Sequence, residues 1–185
     1  MSGRLLLRGQ SPDGGKSKFF LDTSIFIASF DRSRPRQSTD ARLLIRAALN
    51  TGLGVVSGQV VQEFLSAAMD RFAVPLMPAD CRTYLSRVLA PLWRVTPTAD
   101  LHRRALDIHE QAERQAPCTF GDCLIIAAAQ ETGCRTLYSE DLPHRGVFDR
   151  LVIVNPFIQS ALLSPPRVWE RATGGAEGNS GLADA

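Results

Sequence analysis

Lysine is almost absent from this chain, standing only at Lys16 and Lys18, so arginine carries nearly all of the positive charge. Guanidinium forks grip phosphates bidentately, but a sequence rich in Ala, Arg and Gly can reflect coding bias alone, and the arginines by themselves assign no ligand. Cysteine is also sparse. Cys81, Cys118, Cys123 and Cys134 show no CxxC spacing and no neighbouring histidine cluster, which argues against a zinc site and reads as thiols kept in a reducing compartment. Long apolar runs are missing. Nothing approaches the roughly 18 to 20 residues of a membrane span, and Leu5 to Leu7 falls short of a signal-peptide core of about 7 to 15. The expectation is a cytoplasmic protein without a membrane partner. A net charge of +2, 44% apolar and 22% charged residues over a length of 185 fit one soluble globular domain able to bury its own core.

Both ends are Gly-rich and polar, through SPDGGKS at the start and ATGGAEGNSGLADA at the finish. Residues 1–17 and 161–185 are therefore expected to be tails around a domain at 18–160. Inside it, short apolar runs alternate with amphipathic stretches. Strands are expected at Lys18 to Leu21, Gly54 to Ser57, Trp93 to Thr96, Arg135 to Ser139 and Leu151 to Asn155. Helices are expected at Thr39 to Asn50, Gln59 to Met69, Pro78 to Leu89, Thr98 to Gln115 and Thr119 to Glu131. This alternation favours an α/β fold in three layers, because parallel strands need crossover helices. Ligands of such sheets lie beyond the carboxyl ends of the strands. GGKS at Gly14 to Ser17 is not a phosphate loop: Gln10 stands where that pattern needs glycine, and a strand rather than a helix follows.

Most acidic residues lie in polar stretches, and a few interrupt apolar ones. Asp22 directly follows KFFL, where it serves equally well as a helix N-cap. Glu63 borders the apolar stripe of VVQEFLSAA, a place also open to an ordinary solvated glutamate. Asp122 shares a face with Ile125, Ile126 and Ala129, and also completes a capping box with Thr119. Asp141 follows RTLYS with Glu140 beside it, at the start of a turn. Two acids beyond strands and two early in helices would meet at one edge of a parallel sheet. Converging carboxylates need a cation, and an oxygen-only set favours a hard ion such as Mg²⁺ or Mn²⁺. Such ions can activate water against a phosphodiester without a protein nucleophile. His102, His109 and His144 offer no rival constellation.

FFLDTSIFI, VSGQVVQEF, TFGDCLIIAAAQETGCRTLYSEDL and LVIVNPF together resemble the PIN-domain nucleases, and especially the toxin halves of bacterial toxin–antitoxin pairs of the VapC type. The resemblance runs from about Lys18 to Phe157. It implies a central parallel sheet of about five strands with helices on both faces, and a metal-dependent endoribonuclease. Asp22, Glu63, Asp122 and Asp141 would be its catalytic and metal-binding acids. Thr23, Ser24, Ser139 and Glu140 would orient carboxylates or waters, with Glu140 an alternative to Asp141 as the fourth acid. It further implies an RNA substrate, a small antitoxin laid on an apolar groove, and a homodimer. The stretch around Phe72, Val74, Leu76 and Met77 offers apolar residues for that groove. Arg32, Arg34 and Arg36, in the loop after the first motif, are candidate contacts to the RNA backbone. Other readings stay open: a PIN-type RNA-processing nuclease without an antitoxin, a catalytically silent PIN-like binding module, or a flavodoxin-like regulatory domain. The last would want a later lysine, which this chain lacks.

Overall fold

The computed structural model describes residues 17–112 and 118–158. The expected tails and the end of the helix proposed to reach Gln115 lie outside the described residues. Six strands form one sheet: β1 (Phe19–Leu21), β2 (Gly54–Ser57), β3 (Trp93–Val95), β4 (Thr136–Tyr138), β5 (Val147–Phe148) and β6 (Leu151–Val154). Their order is β3-β2-β1-β4-β6-β5. The first five in that order pair in parallel, and β5 adds an antiparallel edge through Val147 opposite Val152. The sheet thus holds the five parallel strands read from the sequence plus one. The two residues of β5 are too few to show an alternation.

The crossovers are α1 (Thr23–Ala28), α2 (Pro35–Thr51), α3 (Gly58–Asp70), α4 (Pro78–Tyr84), α5 (Ala90–Leu92), α6 (Ala99–Ala112) and α7 (Phe120–Glu131), with a π turn at Leu85–Leu89 joining α4 to α5. α1 is not marked by the periodicity, since six residues do not complete two turns of a 3.6-residue period. α2 starts at Pro35 rather than Thr39, because proline is tolerated at the first helical position. In the π turn the Ala90 N–H bonds the Leu85 carbonyl, five residues back. Pro91, with no N–H to return, follows directly. α1 to α5 pack on one another and α6 packs on α7, so the sheet lies between two helical groups. Among the described residues no helix is long and apolar enough to cross a membrane.

Burial follows the periodicities. The strands bury Phe20, Leu21, Val55, Val56, Leu137 and Ile153, while α3 buries Val60, Val61, Phe64, Ala67 and Ala68 along one stripe. Phe64 stacks on Tyr84 at 4.8 Å and meets Phe26, Phe30 and Phe72 edge-on or tilted. Truncating a ring buried in such a cluster costs about 3–5 kcal/mol. Gly54 allows α2 to approach the sheet closely, for an added Cβ would lie 2.2 Å from the Ala48 Cβ. Gly133, at φ +71°, closes α7 in the left-handed conformation that a side chain would strain. The next strand then starts beside β1.

Candidate active site

The chain leaves β1 for β2 on one side and later enters β4 on the other, so the order reverses between β1 and β4. Open α/β sheets form their ligand crevice at such a point, beyond the carboxyl ends. Asp22 and Ser139 stand at these two ends. The Asp22 N–H bonds the Tyr138 carbonyl at 3.0 Å, and the Ser139 hydroxyl donates to Asp22 Oδ2 at 2.7 Å.

Asp22 caps α1, accepting from the Thr23 N–H at 2.7 Å, and its other oxygen also receives the Ser24 hydroxyl at 3.0 Å. It is 8% exposed. Burial pushes its carboxyl up to about 6, helped by the charge of Asp141 and opposed by the bonds from Ser139, Thr23 and Ser24. Three donors are thus insufficient to compensate for desolvation of this charge. Ser139 is fully buried and works in both directions, accepting the Asp141 and Leu142 N–H groups, each at 3.1 Å. The cap reading and the site reading of Asp22 therefore coexist in one geometry.

Glu63 sits one turn into α3, with Oε2 taking the Thr23 hydroxyl at 2.6 Å and Oε1 the Gln59 amide at 2.8 Å. The same amide reaches the Gly121 carbonyl at 3.2 Å, tying α3 to the start of α7. Asp122 lies there in a complete capping box. Its Oδ2 receives the Thr119 N–H at 2.9 Å and the Thr119 hydroxyl at 2.7 Å, while the Thr119 oxygen faces the Asp122 N–H at 3.2 Å. Asp141 lies at the surface, yet partial desolvation raises its carboxyl above the usual range. Glu140, Asp122 and Glu63 push it the same way, and Arg34 opposes them. Asp141 thus feels the charges of Glu63 and Asp122, and its own charge acts on Asp22.

Glu140 is placed differently. Its carboxylate pairs with Arg34, which also bonds Asp31 at 2.7 Å, and its N–H donates to the Ser24 hydroxyl at 3.1 Å. Of the three arginines expected in the loop, Arg34 is braced against two acids and Arg32 is exposed, whereas Arg36 is exposed but lies in the first turn of α2, which opens at Pro35. Two contributors escape a reading of the sequence. Gln59 has a usable signal, standing four residues before Glu63 on the same helical face. Asn155 has none: its side chain donates to the Glu140 carbonyl at 3.3 Å, and its N–H meets His144 Nδ1 at 3.1 Å. Together these contacts fix the loop that carries Asp141.

As placed, no group of three or more His, Cys, Asp or Glu side chains among the described residues is arranged to hold a metal ion. The donor chemistry nevertheless fits one. The set is oxygen-only, it sits at the crevice, and two of its members are pushed toward protonation by burial and by neighbouring acids.

Comparison with known proteins agrees with this architecture. The family model for the PIN domain matches residues 19–147. No curated protein sequence matches significantly. Among solved structures, the Mycobacterium tuberculosis toxin VapC20, described as cleaving the sarcin–ricin loop, is 22% identical. It aligns over 67% of this chain and 92% of its own, with a TM-score of 0.51. FitAcB from Neisseria gonorrhoeae is 17% identical over 76% of this chain and 99% of that one, with a TM-score of 0.54. A DNA-bound VapBC from Salmonella typhimurium is 20% identical over 75% and 97%, with a TM-score of 0.51. At such identities the likeness is one of fold, but the family model spans most of the chain and includes all four acids. The chain belongs to the PIN domain family.

Proposed function

We propose that this protein is a metal-dependent endoribonuclease that hydrolyses RNA phosphodiester bonds at the edge formed by Asp22, Glu63, Asp122 and Asp141, and that it is the toxin of a toxin–antitoxin pair. The observation that carries the reading is geometric: Asp22 stands at the crevice between β1 and β4 bonded to Ser139, Thr23 ties Glu63 to the same turn, and Gln59 ties α3 to the helix start of Asp122. Asp22, Glu63, Asp122 and Asp141 would hold a hard divalent cation, Mg²⁺ or Mn²⁺. When bound, such an ion supplies an activated water and neutralises charge on the attacked phosphate. The chain's own part is orientation: Ser139 and Ser24 fix Asp22, Thr23 and Gln59 fix Glu63, and Thr119 fixes Asp122. Glu140, occupied by Arg34, acts in positioning the loop of Asp141.

The toxin reading draws on the solved neighbours, which include a toxin–antitoxin complex from Klebsiella pneumoniae and the toxin VapC20, and on the resemblance in sequence. Apolar residues between α3 and α4 support a small antitoxin as partner. Phe72 and Leu76 pack on the core, but Val74 is 77% and Met77 67% exposed. A homodimer in the cytoplasm completes the proposal on the resemblance alone. Purified protein is expected to cut RNA with Mg²⁺ or Mn²⁺ and to stop in excess chelator. Undiminished cleavage in chelator, with elemental analysis showing no metal, would overturn the mechanism.

Arg34 is proposed as the backbone contact among the loop arginines, since its brace presents a guanidinium next to the acids. Each phosphate contact releases counterions, so Arg34→Gln is expected to flatten the salt dependence of RNA binding by about one unit of slope. Arg32→Gln, from the exposed part of the loop, and Arg36→Gln, from the first turn of α2, serve as comparisons. Equal slopes for wild type and Arg34→Gln would remove Arg34 from the substrate path.

A further inference from the structure

We propose that the exposed rings of Trp93, Phe120 and His102 form a stacking platform for the bases of single-stranded RNA beside the acidic edge, an inference that rests on the ribonuclease reading above. Phe120 opens α7, two residues before Asp122, and remains 37% exposed. A helix start is ordinarily polar, so a partly exposed phenyl ring there departs from the usual pattern. His102, exposed in the first turns of α6, leans on it with ring centroids 6.2 Å apart and planes at 39°. Its Nδ1 lies 2.7 Å from the Thr98 carbonyl, which fixes the imidazole.

Trp93, also 37% exposed, is fixed in turn, its indole N–H donating to the Val95 carbonyl at 2.8 Å. The indole packs over Gly58, where an added Cβ would meet Trp93 Cζ2 at 3.2 Å. Gly58 adjoins Gln59, whose amide bonds the Gly121 carbonyl, and Gly121 adjoins Phe120. Trp93 thus borders the start of α3, the helix that carries Glu63, and Phe120 with His102 borders the start of α7, the helix that carries Asp122.

Charge favours bases as the occupant. The acids repel a phosphate chain, and a net charge of +2 offers little general attraction. Contacts indifferent to charge would complement the Arg34 backbone contact at this edge, and rigid, exposed rings stack on any base. The platform would hold nucleotides flanking the attacked phosphate without selecting their sequence.

The test uses short single-stranded RNAs, each abasic at one position, titrated by fluorescence anisotropy in chelator so that cleavage does not compete. Wild type is expected to lose about tenfold in affinity when the stacked base is missing. Phe120→Ala or Trp93→Ala should weaken intact RNA comparably and lose the sensitivity at one abasic position, so that protein and RNA changes fail to add. Phe120→Leu, which keeps an apolar residue, should behave like Phe120→Ala. Leu106→Ala, at an exposed apolar position of α6, should bind like wild type. Wild-type affinity in Phe120→Ala and Trp93→Ala, or full abasic sensitivity persisting in both, would overturn the platform while leaving cleavage by wild type as support for the nuclease. A wild type that neither cuts nor binds RNA would remove the ribonuclease reading and the platform with it.

Discussion

Asp22→Asn is expected to lower metal-dependent RNA cleavage by about a thousandfold or more, while leaving the metal-free domain at least as stable as wild type at neutral pH. The loss follows from removing a ligand whose ion supplies several kcal/mol of transition-state stabilisation, at about 1.4 kcal/mol per factor of ten. The stability sign follows from the carboxyl itself. It titrates at 3.8 when unperturbed and at about 6 in the fold, so the folded state holds its proton more tightly. The associated stability is present below about pH 4, falls as pH rises through 6, and is gone above it, a change of about 3 kcal/mol. At neutral pH the wild type therefore carries a buried, ionised group at a cost that the neutral amide of the variant does not have. Part of this gain is offset because the donors of Thr23, Ser24 and Ser139 now face an amide. Thermal unfolding in chelator from pH 4 to 8, with cleavage in parallel, checks both halves. The variant should show a flatter pH dependence than wild type. Adding Mn²⁺ should stabilise wild type most above pH 6, where Asp22 is ionised, and should do little for the variant. A variant destabilised at neutral pH that still cuts near the wild-type rate would show Asp22 to be only the cap of α1.

Legibility in the sequence divides along physical lines. The buried strands are plain, because runs such as GVVS and LVIV must be covered on both faces, and a parallel sheet needs helices between them. Helices long enough to repeat a stripe are equally plain, α3 and α6 above all. What escapes is short or non-local. α1 is six residues, β5 is two, and the π turn before α5 depends on hydrogen-bond register, which hydrophobic spacing does not record. Asp22, Glu63 and Asp122 stand out in the sequence because each borders or interrupts an apolar stretch, whereas Asp141 follows a strand into a turn beside Glu140. Their partners divide the same way. Thr23, Ser24 and Ser139 adjoin the acids in sequence, whereas Asn155 reaches the Asp141 loop only because β6 pairs with β4. Arg34 shows the same limit: proximity in sequence places it near the first motif, but its pairing with Glu140 spans 106 positions and changes what both residues are available to do.

Asp122 carries the sharpest remaining test, because the fold gives it two occupations at once. All of its described hydrogen bonds run to Thr119 through Oδ2 and its own N–H, so it completes the capping box of α7. Its charge also raises Asp141. In Asp122→Asn the amide oxygen can still accept from the Thr119 N–H. The cap should survive in part, and the lost interaction with the helix N-terminus should cost only about 0.3–1 kcal/mol. Relief of repulsion around Asp141 acts in the opposite direction. Unfolding in chelator should therefore differ little from wild type. Metal should separate the two proteins: an ion at about a hundred times its dissociation constant stabilises a competent site by about 2.7 kcal/mol, and most of that should vanish in Asp122→Asn along with at least about a hundredfold in cleavage. The measurement is thermal unfolding of both proteins with and without Mn²⁺, followed by cleavage of the same RNA. If Asp122→Asn is less stable than wild type in chelator, responds equally to Mn²⁺ and cuts at a similar rate, Asp122 is a cap alone and the metal must be held by the remaining acids.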